Sequence, residues 1–440
     1  MRRVAVVGSG ISGLAVAHGL AADAHVTLFE AGGYFGGHTH TVDLTLDGVT
    51  HGVDTGFLVL NERTYPNLLR LFERLDVAIA TSDMSFSVQV PDLDLEWSGS
   101  DLNSVFAQRR NMVRPRFWRM LSDLLRFNRL ATALARNVEA LALDPSIGEF
   151  LTQHRFSDAF RDWYFLPMIG SIWSCPIDQM LRFPVATMIR FCHNHGLLQV
   201  ANRPQWYTVR GGAREYVRKM LRSVPDARLN SPVLAVRRPR AGDADPAVWV
   251  TTAAGTERYD ELVLACHSDQ SLALLSDPSP AEAAVLGTIR YQRNRAVLHT
   301  DTAVLPGRRA AWAAWNYERA TQGAREPDAV CLPVCLHYWL NRLQPLPFST
   351  PVVVSLNPVR EPRAETVHAE FDYAHPVFDA AAIQAQQRVP ALQGQRHTWF
   401  CGAWTRYGFH EDGLVSGLAV CEGVRSRGAA ATAECALEAA

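Results

Sequence analysis

Apolar and polar residues change period several times along this chain, and each change predicts an element. Residues 3–7, RVAVV, form an unbroken apolar run that ends at a glycine, the pattern of a strand buried on both faces of a parallel sheet. LAVAHGLAA (14–22) then has helical spacing, and HVTLFEA (25–31) is a second buried strand. From 61 to 200 the pattern is mainly helical, with YPNLLRLFERL (65–75), RFWRMLSDLLRFNRLATALARN (116–137) and PVATMIRFCHNHGLL (184–198). YTVRGGAREYVRKML (207–221) reads as a glycine turn leading into a helix, and ARLNSPVLAVRR (227–238) and YDELVLAC (259–266) as strands around a hairpin-type loop at 238–246. Residues 286–370 alternate strand-like runs with loops, among them RAVLHTD, AAWAAWNYE, AVCLPVCLHYWLN and TPVVVSLNP. TWFCGA (398–403) is a short buried strand, and DGLVSGLAVCEGV (412–424) a helix. The alanine-rich end, 429–440, reads as a fraying tail. No internal repeat is visible.

Composition adds three constraints. With 440 residues, 48% of them hydrophobic, the chain can bury a large core and fold as more than one lobe. A formal net charge of −1 gives no global attraction to nucleic acid. Lys219 is the only lysine among 43 basic residues, as a GC-rich bacterial genome would give, so a mechanism that needs a lysine has one candidate. The eight cysteines include no Cys-x-x-Cys pair and sit in apolar surroundings, which fits reduced thiols in the cytoplasm and no metal site. The basic, apolar N-terminus resembles a signal peptide, but its glycines assign it differently. No uninterrupted apolar run reaches the roughly 18 residues of a membrane-spanning helix.

The glycines are Gly8, Gly10 and Gly13, spaced G-x-G-x-x-G between the first strand and the first helix. Gly8 permits a tight turn, Gly10 lets backbone approach a pyrophosphate, and Gly13 lets helix and strand pack closely. Ile11 and Ser12 open the helix, whose N-terminus offers free N–H groups to phosphate. Glu30, 22 residues after Gly8, ends the second strand where a ribose-binding acid belongs. Together these features predict dinucleotide binding.

Beyond Glu30 and Ala31, the stretch AGGYFGGHTHT places a second glycine pair, Gly36–Gly37, ahead of His38 and Thr39. This resembles the pattern E-A-x(4)-G-G-x-x-x-T of the flavin amine oxidase and phytoene desaturase superfamily. The resemblance implies an α/β fold: a Rossmann-like FAD-binding lobe of glutathione-reductase type, and a substrate lobe of antiparallel sheet plus helices. It makes the FAD lobe discontinuous, 1–60, 205–285 and 390–428, with 61–204 as the helical part and 286–389 as the sheet part of the substrate lobe. GVDTGFLV (52–59) matches the segment that passes beside the flavin, through Thr55, Gly56 and Phe57. Val233 matches a valine that meets the adenine by backbone contacts. Gly402 would meet pyrophosphate or ribitol, and the helix with Glu411, Asp412 and Leu414 would point its N-terminus at the flavin. Two departures stand out: His38 replaces an arginine, and Ala403 and Trp404 replace a ribitol-binding acid.

For chemistry, His410 aligns with a tyrosine of the amine oxidase aromatic cage and is the candidate acid or base; Glu411 would lend its backbone N–H to the flavin O2, with its side chain either turned away or a partner of His410, and Asp412 is a natural N-cap. Trp315, Tyr317, Tyr338, Trp339, Tyr407 and Phe409 are candidates to line an apolar substrate pocket. Lys219 lies in the wrong segment for the lysine that amine oxidases keep near flavin N5. No second G-x-G-x-x-G follows a strand, so a built-in NADPH domain is not expected. The motifs TSDMSFSV, NHGLL, WNYE and GFHEDGL resemble a narrower bacterial branch, often encoded beside cyclopropane-fatty-acid-synthase-like methyltransferases. That resemblance implies an unsaturated fatty acyl substrate, free or phospholipid-linked, and desaturation or double-bond isomerisation, with a methyltransferase as a partner. The alternatives are an amine oxidase, a carotenoid or porphyrinogen desaturase, and a lipid-binding partner without catalysis. Residues 109–137 hold eight arginines and one acid among Trp, Phe, Met and Leu. This is either a solvated basic face or a membrane-surface element, the latter placing a cytoplasmic protein at the inner face of the membrane.

Overall fold

A computed structural model describes residues 1–137, 145–173, 177–199, 203–240, 243, 246–320 and 334–438. The expected turn at 238–246 and the run AVCLPVC fall partly outside these residues, as do the side chains of Cys175, Cys331 and Cys435. Cys192, Cys266, Cys335, Cys401 and Cys421 are free thiols.

The apolar run at the N-terminus forms strand β1 (Arg2–Val7) at the centre of a five-stranded parallel sheet. Its neighbours are β2 (Ala24–Phe29) and Glu261–Leu264; Asp226–Arg228 and Thr398–Phe400 are the edges. Val4, Ala5 and Val6 are fully buried because layers cover both faces of this sheet, which is why the sequence shows no alternation. Helix α1 (Ile11–Leu20) packs against the C-terminal helix, His410–Glu438, on one face. That helix continues to Glu438, so most of the stretch read as a fraying tail has helical backbone.

The second lobe is a seven-stranded sheet in the order Val367–Val377, Arg290–His299, Val353–Leu356, Cys335–Trp339, Trp315–Glu318, Phe86–Val90, Leu95–Ser98. Two expectations change here. The segment 61–204 is not only helical, because Phe86–Val90 and Leu95–Ser98 join this sheet. The sheet is not purely antiparallel, because Trp315–Glu318 pairs with Phe86–Val90 in parallel, Tyr317 opposite Val88. Strands far apart in sequence are free to pair in either direction, since no tight turn links them. Helices Pro115–Arg136, Leu166–Trp173 and Val185–Asn194 contribute to a core around Phe127, Phe165 and Phe191. None of the described helices is long and apolar enough to cross a membrane.

Candidate cofactor and substrate site

The turn after β1 is shaped by steric necessity. A Cβ on Gly13 would stand 1.8 Å from the Gly8 carbonyl oxygen, so only glycine lets α1 begin this close to the strand. Gly36 and Gly37 both have positive φ, and a Cβ on Gly37 would press on Gly10 Cα at 3.1 Å. The two glycine motifs therefore pack against each other as one backbone cradle.

Glu30 stabilises that cradle. Oε2 accepts from the Ser9 N–H at 2.9 Å and the Ser9 hydroxyl at 2.5 Å, and Oε1 accepts from the Gly32 N–H at 2.8 Å. A carboxylate has about four acceptor positions, so Glu30 keeps one for a ribose hydroxyl.

From this cradle a single cavity of about 810 Å³ runs into the second lobe. Gly8, Gly10, Ile11, Ser12, Glu30, Ala31, Gly36, Gly37 and His38 line one end. Thr55, Gly56, Phe57, Val233, Gly402, Trp315, Tyr338, Tyr407, Phe409 and His410 also line it. The structure thus brings together most of the residues that the sequence singled out, from seven separate segments.

Several expected residues do something else. Glu411 is not a partner of His410. Its Oε1 accepts from the Asn67 backbone N–H at 2.9 Å and the Asn67 amide at 2.6 Å, and its Oε2 from the Leu68 N–H at 3.0 Å. It satisfies the free N–H groups of helix α2 (Pro66–Arg74), a role sequence spacing could not show because the two segments lie 344 residues apart. Asp412 is not the N-cap: the helix starts at His410, and the Asp412 carboxylate accepts from the Phe409 N–H at 3.0 Å, reaching back from the first turn. Burial raises the Asp412 pKa to about 6. Neither carboxylate lines the cavity. Leu414 is core, packed with Ile11 and Leu14, and does not line the cavity. Tyr317 is buried with Val88 and Leu336, deeper in the sheet than the cavity wall. Trp339 follows Tyr338 on a strand, so it faces the opposite side, edge-on to Trp312 at 5.3 Å. Thr39 does not line the cavity; its hydroxyl lies 2.5 Å from the Tyr216 hydroxyl.

His410 is held tightly. Its Nε2 lies 2.6 Å from the Tyr216 hydroxyl and 3.1 Å from Thr39 Oγ1, and its ring stacks on Phe57 at 3.9 Å. Burial lowers its pKa to about 3, and its place at a helix N-terminus also disfavours charge. The ring is neutral at physiological pH, with Nε2 already engaged.

Sequence reasoning passed over His195, within NHGLL. Its Nδ1 lies 3.0 Å from the Phe191 carbonyl oxygen, which can only accept, so Nδ1 carries the proton. In the neutral ring Nε2 is then a bare acceptor on a residue that lines the cavity, with no hydrogen bond among the described residues. Burial lowers the His195 pKa to about 4. Asp54, in GVDTG, was also missed. Its carboxylate accepts from the Thr41 hydroxyl at 2.5 Å and the Ala213 N–H at 2.9 Å, tying the glycine-pair turn at Gly211–Gly212 to the cavity wall.

His38, His267 and His375 form a second histidine group on the wall, with ring centroids 5.2 Å (His38–His375) and 6.4 Å (His38–His267) apart. Burial, then their mutual repulsion, lowers the His38 and His375 pKa values; burial lowers that of His267. His38 Nε2 is buried without a partner among the described residues. With its proton on Nε2, this ring beside the glycine cradle would donate to a phosphate oxygen, the place that an arginine would otherwise fill. With the cradle, the remaining acceptor of Glu30 and the long cavity, these residues fit FAD. A separate buried trio, Glu318, Cys335 and His337, lies on the other face of the sheet. It is linked through Ser355 to His299 and does not line the cavity.

Comparison with known proteins agrees with this geometry. The NAD(P)-binding Rossmann-like domain family matches residues 6–75. A provisionally assigned protoporphyrinogen oxidase from Exiguobacterium sp. 255-15 superposes over 97% of this chain and 99% of its own, with TM-score 0.67 and 17% identity. The chain has the flavin amine oxidase fold. Others with this fold are a CLA-producing fatty acid isomerase from P. acnes (TM-score 0.65, 15% identity, 97% of this chain and 98% of that one) and cyclohexylamine oxidase from Brevibacterium oxydans IH-35A (TM-score 0.64, 15% identity, 96% and 99%). No curated protein matches the sequence. In this fold the glycine cradle belongs to the nucleotide-binding lobe, and the cavity beyond it extends into the second lobe.

Proposed function

We propose that the protein is an FAD-dependent oxidoreductase that acts on an unsaturated fatty acyl chain, by desaturation or double-bond isomerisation. The observation that carries this reading is the charge content of the cavity. Among its described lining residues Glu30, at the ribose end, is the only carboxylate, and neither lysine nor arginine is present. The far chamber is walled by Met84, Phe86, Met168, Ile172, Trp173 and Leu197. An ammonium group entering it would find no counter-ion, and a free carboxylate no cation, so desolvation would oppose both. A hydrocarbon segment loses nothing on entry and gains by burial. The resemblance of NHGLL and GFHEDGL to a branch associated with fatty acyl modification points the same way, as does a fatty acid isomerase with this fold.

FAD, when bound, supplies the hydride acceptor. This chain's residues would supply the rest. The apolar walls exclude water and hold the acyl chain extended. For desaturation His195 Nε2 would take the proton from the carbon next to the one that gives up hydride; for isomerisation it would take an allylic proton and return it at the far end of the shifted double bond, with no net oxidation. His410, locked by Tyr216 and Thr39 and stacked on Phe57, positions the wall rather than moving a proton. The test is to add vaccenoyl phospholipid to the purified holoenzyme without air, following the flavin spectrum and the acyl chains by mass spectrometry. Bleaching, or a new double-bond position, is expected. An unchanged spectrum together with unchanged chains refutes the reading, and bleaching by a polyamine instead assigns an amine substrate.

A further inference from the structure

We propose that the surface formed by residues 102–129 docks on the anionic face of a lipid bilayer. Among the described residues ten large hydrophobic side chains are exposed, and five of them fall here: Leu102, Met112, Val113, Trp118 and Leu125. Leu102 and Val113 are 79% and 81% exposed. Singly exposed apolar side chains are ordinary, but half of the total gathered in one short stretch marks an interaction surface.

Local structure joins Met112, Val113, Trp118 and Leu125. Arg109–Val113 is a 3₁₀ turn that leads into helix Pro115–Arg136. The Trp118 indole N–H donates to the Met112 carbonyl at 2.8 Å, which lays the ring back over the turn. Along the helix Trp118, Ser122, Leu125 and Arg129 share one stripe, turned away from the buried Phe117, Met120 and Phe127.

The exposed charges within the stretch itself are all positive. Arg109, Arg110, Arg116, Arg119 and Arg129 are exposed. The only acid between 102 and 137 is Asp123, which is buried, pairs with Arg126 at 2.9 Å and Arg119 at 3.4 Å, and accepts from the Ser157 N–H. Arg110 is paired with Asp94, and Asp101 caps the short helix that carries Leu102; these are the local exceptions. Guanidinium groups ringing an exposed tryptophan and aliphatic tips complement phosphodiesters above acyl chains. The docking helix also lies close to the cavity. Its buried face, through Phe127 and Ala131, belongs to the same apolar cluster as Trp173 and Phe191, which line the cavity.

The test uses the full-length holoenzyme and sedimentation with vesicles of dimyristoyl phosphatidylcholine, with or without about a third dimyristoyl phosphatidylglycerol. These lipids have no double bond, so docking is read apart from turnover, and either can fail without the other. The bound fraction should rise at least about fivefold with the anionic lipid and fall as salt is added. Val113→Ser with Leu125→Ser should abolish it, and so should Arg109→Glu with Arg129→Glu; all four side chains are exposed, and circular dichroism checks that the variants fold. Wild-type protein that stays in the supernatant, or binding that survives either pair of substitutions, overturns the proposal. So does a dimer in solution that the Val113→Ser and Leu125→Ser changes dissolve, since that assigns the patch to a second copy of the chain.

Discussion

Glu411→Gln separates the two roles that a carboxylate beside the cavity histidine could have. In the structure Glu411 accepts three hydrogen bonds, from the Asn67 and Leu68 backbone N–H groups and the Asn67 amide. Hydrogen bonds to a charged acceptor contribute roughly 1.5–3 kcal/mol each. Glutamine keeps one acceptor oxygen, which can serve the two Asn67 donors, but it turns an NH2 towards the Leu68 N–H. The change should cost about 2–3 kcal/mol, from one lost charge-assisted bond and one orphaned buried donor. Glu411→Ala removes all three and should cost about 4–5 kcal/mol, because the first N–H groups of helix α2 are left without partners. Thermal unfolding followed by flavin fluorescence reads the loss, with a midpoint several degrees lower for Gln and lower again for Ala. Below that midpoint the Gln variant should keep its flavin content, and its turnover within about threefold, since the side chain does not line the cavity. A Gln variant with an unchanged midpoint and activity lost by a hundredfold or more would refute the capping role and restore Glu411 to the chemistry.

Gly13→Ala should leave the protein without FAD, because the added Cβ falls 1.8 Å from the Gly8 carbonyl oxygen and must push α1 off the cradle; the ratio of flavin to protein absorbance after purification checks this. His195→Gln should lower turnover by about 10²–10⁴-fold while flavin content stays normal, whereas His410→Gln, by loosening the contacts with Tyr216 and Thr39, should lower the melting temperature more than turnover. His38→Ala should release FAD faster on dilution, read as the rise in free-flavin fluorescence. Acid should destabilise the fold. Burial lowers the pKa of His410 to about 3 and of His195, His375 and His299 to about 4, and that of His38 also falls, so the unfolded chain binds more protons than the native one below pH ~6.5. Each such group contributes stability that is present above pH ~6.5 and lost as pH falls towards its native pKa, on the order of 3–5 kcal/mol when complete. Asp54 and Asp412, raised by burial to about 7 and about 6, act in the opposite direction, but five histidines outweigh two carboxylates. Melting temperatures should therefore hold or rise slightly from pH 8 to pH ~6.5, where Asp54 takes up its proton, and fall from there to pH ~4.5; a flat or rising profile below pH ~6.5 would refute the assignment of neutral histidines.

The sequence by itself determined the cofactor end of this protein. Gly8, Gly10, Gly13 and Glu30 are close in the chain, and their spacing encodes a turn whose geometry is local: a helix start, a positive φ and a close approach that a Cβ forbids. The unbroken apolar runs gave the parallel strands for the same reason, since burial on both faces leaves no alternation to misread. Tertiary structure decided what spacing cannot encode. Glu411 and Asp412 sit beside His410 in the chain, yet one reaches across to Asn67 and the other folds back on Phe409, because free helix N–H groups compete for carboxylates wherever they lie. Tyr317 and Trp339 looked equivalent to Trp315 and Tyr338 as aromatic strand residues. Strand depth and the two-residue period of side chains sent the first pair into the core and to the far face. His195 became visible as a free acceptor only when the Phe191 carbonyl fixed its tautomer and the fold brought its ring to the cavity wall. Local sequence writes local backbone; which polar atom stays free to react depends on which donors and acceptors the folded chain has already paired.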